Sequence, residues 1–178
     1  MYQECIKFWF EDIDPEQCWK KDDDFDVLLI ERFSALHARA VRGELYAWRT
    51  EAEGRLAEII VLDQFSRNMF RGSALAYAND PMSLVLAQEA IAAGADKSLS
   101  TRQRIFLYMP FMHSESLLIH DLAVELFSQP GLDNNLEFEY KHKRIIERFG
   151  RYPHRNEVLR RQSTADEIEF LAKPGSGF

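Results

Sequence analysis

Every apolar run in this chain repeats at three- and four-residue steps, and none alternates in twos between hairpin turns. That period builds helices and leaves no strand to pair. From Phe25 to Val41, the residues Phe25, Leu28, Leu29, Phe33, Leu36 and Ala40 trace one helical side, and Gly43 marks the end. Tyr2–Phe10 reads as a short aromatic helix halted near Pro15, and Asp22–Asp24 can cap the helix that follows. Thr50 and Glu53 form a capping-box pattern ahead of the next helix, which Gly72 stops. Asp80 as cap and Pro81 in the first turn start another, and Ser100 with Gln103 a further one. Pro110 predicts a kink or stop, with a restart at Ser114 or Ser116 that runs to Pro130-Gly131. Leu136–Phe149 ends at Gly150, Asn156 can cap a turn over Glu157–Arg161, and Ser163 with Asp166 can cap a last helix to Ala172. The expectation is one all-α domain over 1–173, with about eight helices stacked as antiparallel pairs, and a tail over 174–178.

Leu56–Arg71, LAEIIVLDQFSRNMFR, is the pivotal helix. Its first half is apolar nearly all round. In its second half Phe65, Met69 and Phe70 continue the apolar side, while Asp63, Gln64, Arg67, Asn68 and Arg71 crowd an arc of roughly 140°. Such a helix starts buried and ends with five hydrogen-bonding side chains on one face. Either these residues pair among themselves, Asp63 with Arg67 one turn apart, or they line a polar cleft.

A chain of 178 residues buries around 70% of its unfolded surface, enough for one core. A net charge of −7 argues against nucleic acid. The charge is uneven: residues 1–30 hold nine acids against three lysines, and residues 141–161 hold eight Lys/Arg against two glutamates. The basic segment either packs near the acidic one or offers a surface to an anion. No apolar run reaches a membrane span, and MYQECIKFWFEDID is no signal peptide. Cys5 and Cys18 lack metal spacing and make no disulfide framework, which points to the cytoplasm.

Chemistry-bearing residues cluster in two further stretches. His113 and Glu115 follow the Pro110 break, with His120-Asp121 beyond. On one helix His113 and His120 would lie about 10.5 Å apart along the axis, too far for one ion. No metal motif, phosphate loop or nucleophile motif occurs, so neither a metal nor a cofactor is expected. The stretch Arg148–Asn156, RFGRYPHRN, concentrates Arg151, Tyr152, His154, Arg155 and Asn156 at a turn fixed by Gly150 and Pro153. His142 stands three residues after Glu139 and reads as its structural partner.

The segments VLDQFSRNMFRG (61–72), RIFLYMPFMHSE (104–115) and HKRIIERFGRYPHRN (142–156), with YANDP (77–81) and the PGSGF ending, resemble domain of unknown function family 924. The resemblance covers nearly the whole chain. It implies an all-helical fold similar to tetratricopeptide repeats and bacterial relatives, and it implies no activity. Ser66 stands where family members commonly carry proline.

Two functions fit these observations. One is a binding module whose cleft, lined by Asp63, Arg67, Asn68, Arg71, His113, Glu115, Arg151, His154, Arg155 and Asn156, holds a peptide, a protein segment or a small carboxylate or phosphate. The other is a small hydrolase or transferase with His113 or His154 as general base and Glu115 as its partner. A purely structural interaction protein is the background reading. The 61–72 and 151–156 groups are expected to converge with His113 and Glu115 at the edge, and the tail Pro174–Phe178 is expected either to dock or to stay disordered.

Overall fold

The computed structural model describes residues 1–175, and the tail beyond Gly175 lies outside the described residues. Those residues form helices and connections with no strand among them. The chain divides into two compact units. One comprises Met1–Arg71 and Leu75–Pro110; the other comprises Gly72–Ala74 and the chain from Phe111 onward.

The first unit opens with α1 (Tyr2–Lys7), which widens into a π turn over Phe8–Asp12. Then come α2 (Asp23–Val41), α3 (Ala52–Ile60), a second π turn over Val61–Phe65, α4 (Ser66–Met69) and α5 (Asp80–Ala92). α1 and α5 both pack on α3, and α2 packs on α4. The core is aromatic. Trp9, Phe33, Phe65 and Phe106 are buried, with ring centroids 5.6 Å apart for Trp9–Phe65 and for Trp9–Phe106 and 4.9 Å for Phe33–Phe65. Those spacings are the offset and edge contacts that aromatic quadrupoles favour.

α6 (Thr101–Met112) carries the division between units at Pro110. Of the kink or stop expected at Pro110, the stop does not occur: the helix continues two residues beyond it. A proline one turn from a helix end sacrifices a single ladder bond, which local packing can absorb. The second unit contains α7 (Leu117–Phe127) packed on α8 (Asp133–Phe149), then α9 (Ala165–Leu171). Ile145, Ile146 and Tyr152 form its buried cluster, flanked by Phe149 and Phe170.

Most of the other stop and start signals act as expected, and four do not. Asp22 accepts from the Asp24 and Phe25 amides, and Ser100 and Gln103 cap each other reciprocally. The Thr50 box fails, because Thr50 Oγ1 donates to Ala47 O and Glu51 takes the cap position without a side-chain bond. Asp80 is the first residue of α5 rather than its cap, and its carboxylate goes elsewhere. The last capping box belongs to Thr164 and Glu167, one residue later than Ser163 and Asp166. Asn156 caps no turn, since its side chain joins Ser163 and Arg161.

Candidate functional site

The π turn at Val61–Phe65 sets up the first polar group. A wider turn loosens the i→i−4 ladder, and three side chains one turn on supply donors to its carbonyls. Ser66 Oγ donates to Leu62 O at 2.6 Å, Arg67 Nη1 to Asp63 O at 3.1 Å and Asn68 Nδ2 to Gln64 O at 2.9 Å. The polar arc read from the sequence is therefore also the arc that repairs its own backbone.

Arg67 does not face a cleft with surplus charge. It reaches Asp63 Oδ1 at 2.9 Å and grips Asp80 with both terminal nitrogens at 2.9 and 3.0 Å. Burial works against its charge, and the two carboxylates outweigh that, holding it above its ordinary value. Gln64 Nε2 donates to Asp63 Oδ2 at 2.6 Å. Arg71 grips Asp26 at 2.6 and 2.9 Å and also reaches Asn68 Oδ1 at 2.9 Å. The guanidinium surplus expected of this helix is thus taken by Asp80 and Asp26. Beside it, buried His37 Nε2 and Ser66 Oγ lie 2.7 Å apart, and burial depresses the His37 pKa.

The second group belongs to the other unit and builds contacts of its own. Glu115 accepts from Arg161 at 2.6 and 2.9 Å and from the Tyr152 amide at 2.7 Å. Burial raises its pKa, and Arg161 with the Tyr152 N–H outweighs that, so it stays ionised below the usual carboxylate range. Arg151 pairs with Glu167 at 2.7 and 2.8 Å, and that pairing holds Glu167 at about 2. Arg155 is buried, stacks 4.5 Å over the Tyr152 ring and donates to His113 O at 3.0 Å. The expected Glu139–His142 pair is corrected. Glu139 Oε1 meets His120 Nδ1 at 2.6 Å, and His142 Nδ1 meets Phe138 O at 2.8 Å. Burial drives His142 down to about 3, so it is neutral at ordinary pH. Both cysteines are free thiols, pushed by burial to about 12 for Cys5 and about 11 for Cys18.

An open hollow of about 390 Å³ lies in the second unit, lined by Arg148, Phe149, Arg151, Thr164, Asp166 and Glu167. Arg148 is exposed and sits 4.6 Å over the Phe149 ring. Among the described residues, no three His, Cys, Asp or Glu side chains are placed to hold a metal ion. No described helix is long and apolar enough to cross a membrane.

The three sequence blocks that frame these contacts fall within one family pattern. The family model for bacterial proteins of unknown function called DUF924 matches residues 5–175. The chain belongs to this family. A solved structure of a protein of unknown function from Agrobacterium tumefaciens is similar over 96% of each chain, with 39% identity and a TM-score of 0.91. No curated protein matches. Family membership thus carries the fold and assigns no chemistry.

The sequence reading missed Asp26, Asp80, Arg161, Glu167 and Tyr152 as partners. Two left a signal. Asp26 sits on the buried face of α2 beside Phe25 and Leu29, where an acid without a partner would be costly. Asp80 was legible as a helix-start residue, which concealed its second role as the partner of Arg67.

Proposed function

We propose that this protein is a binding module rather than an acid–base catalyst, with the hollow of the second unit as its site for an anionic group. One observation carries this reading: Glu115, the sequence's candidate for catalytic partner, has both oxygens occupied by Arg161 and the Tyr152 amide. A carboxylate pulled below its ordinary pKa and enclosed by donors is a poor proton shuttle at neutral pH. The hollow presents the exposed Arg148 guanidinium above an aromatic floor, with Arg151 beside it. A planar cation of that kind recognises carboxylate or phosphate with two parallel hydrogen bonds. Asp166 and Glu167 on the rim disfavour a multiply charged anion and favour a single carboxylate, as an acidic peptide side chain offers. A tetratricopeptide-like stacking of helix pairs belongs to the same reading, because such folds present grooves to peptides.

The test is a nuclear magnetic resonance titration of the full chain with acetate, inorganic phosphate and a short acidic peptide. Saturable shifts at Arg148, Phe149 and Thr164 are expected, strongest for the peptide and lost in Arg148→Ala. Unsaturable shifts, or identical shifts in the variant, would refute the site.

A further inference from the structure

α2 buries one side and leaves the other bare. Phe25, Leu29, Phe33, His37 and Ala40 face the core. On the outer side Val27 keeps 51% of its surface exposed, Ile30 43% and Val41 39%, and Ser34 and Ala38 between them are exposed too. At 100° per residue, Val27, Ile30, Ser34, Ala38 and Val41 fall within an arc of about 80°. A row of small and apolar residues aligned in this way along a charged helix, with the exposed Asp23 at its N-terminal end, has the pattern of a helix-pair seam.

We propose that this stripe is a docking surface for a second copy of the same chain, with α2 packed antiparallel on α2 about a two-fold axis at Ser34. This goes beyond the ligand site proposed above and does not depend on it. Spacing is the first argument. Val27 and Val41 each lie about 10.5 Å from Ser34 along the axis, and Ile30 and Ala38 each about 6 Å, in opposite directions. A two-fold axis at Ser34 therefore sets Val27 against the partner's Val41 and Ile30 against the partner's Ala38. The stripe is complementary to itself, as an isologous interface requires. The small side chains of Ser34 and Ala38 let the two helices approach closely at the centre.

Charge fixes the direction. Asp24 near the start of α2 and Arg42 just past its end lie on the same flank of the stripe, and both are exposed. An antiparallel pair brings Asp24 beside the partner's Arg42 twice over. A parallel pair would stack aspartate on aspartate and arginine on arginine. Arg42 already holds Glu44, at 2.6 and 3.2 Å, through Nε and Nη2, and its side chain is 58% exposed. A single helix pair buries less than a standard interface, so the association is weak and depends on concentration.

The experiment is sedimentation velocity on the full chain across a wide concentration range, combined with cysteine cross-linking. The wild type should show a monomer–dimer equilibrium. Ser34→Glu, which puts two carboxylates on the axis at an exposed position, should abolish it. Asp24→Arg should weaken it about tenfold, and adding Arg42→Asp in the same chain should restore it. Under mild oxidant, Val27→Cys mixed with Val41→Cys should yield mostly the heterodimer, with each alone near the wild-type background. A monomer at every concentration overturns the proposal. So does a dimer that survives Ser34→Glu but dissolves with Leu118→Glu, on the exposed face of α7, or a double charge variant that is no better than Asp24→Arg.

Discussion

Replacing Arg67 with alanine gives the sharpest test of whether the pivotal polar group is structural. The Asp63 side chain is 1% exposed and Asp80 15%, and Arg67 serves both. Its removal strands carboxylate charge in the interior, and breaking a buried pair costs about 3–5 kcal/mol. Because two carboxylates lose the same guanidinium, we expect about 4 kcal/mol at pH 7, a fall in Tm of about 8–16 °C for a chain of this size. Arg67→Lys keeps the charge and loses the fork that grips Asp80 at two points, so it should cost about 1–2 kcal/mol. Urea denaturation followed by circular dichroism reads both. The alanine variant should lose less stability at pH 4 than at pH 7, because protonating the stranded carboxylates removes the buried charge. A loss below about 1 kcal/mol at pH 7, or an equal loss at both pH values, would refute the structural assignment.

Gly54→Ala should destabilise by about 3 kcal/mol, against the roughly 1 kcal/mol that alanine ordinarily gains in a helix. An added Cβ would meet Trp48 O at 2.0 Å, a backbone atom that cannot swing aside, and the urea midpoint reads the outcome. Burial holds the Glu139 carboxyl above the ordinary 4.5, so its stabilising proton is fully held below that pH and lost as pH rises through the folded value. Glu139→Gln, whose amide can donate to His120 at any pH, should flatten that fall in denaturation series run between about pH 5 and 8. Arg151 holds Glu167 at about 2 against an ordinary 4.5, so its stability is present above 4.5 and lost as pH falls towards 2. Glu167→Gln should remove that part of the acid-unfolding curve. Arg160 is exposed with φ 55°, and relieving a left-handed L-residue gains about 1–2 kcal/mol against a glycine entropy cost of about 0.5–1 kcal/mol. Arg160→Gly should therefore raise the thermal midpoint, as calorimetry would show.

Helices were legible because periodicity and punctuation are local. Gly43, Gly72 and Gly150 turn left-handed at the predicted helix ends, with φ of 70°, 74° and 67°. The errors came where two local solutions compete. Ser163–Asp166 and Thr164–Glu167 spell the same capping motif one residue apart, and Glu167 prevails because Arg151 also grips it. Partners far along the chain left weaker traces. Nothing near Arg71 points to Asp26, 45 residues earlier, and nothing near Glu115 points to Arg161, 46 residues later. The sequence therefore showed which residues carry charge at the helix ends, and could not show which of them would neutralise one another.

The two guanidinium groups of the pivotal helix do something that the aromatic core beside them cannot. Trp9, Phe33, Phe65 and Phe106 supply burial, but apolar attraction is far less directional than a charge-assisted hydrogen bond. A bidentate fork does not tolerate sliding. Arg67 fixes α4 against the first turn of α5 through Asp80, and Arg71, just past α4, fixes α2 through Asp26. A slip of α5 or of α2 by one residue, about 1.5 Å along its axis, would pull the fork that holds it beyond hydrogen-bond length. The π turn fits the same logic. It widens the helix where Asp63 and Gln64 must be buried, and Ser66, Arg67 and Asn68 return donors to the carbonyls it loosens. The polar arc of the pivotal helix thus ties α2, α4 and α5 of the first unit to one another at fixed points.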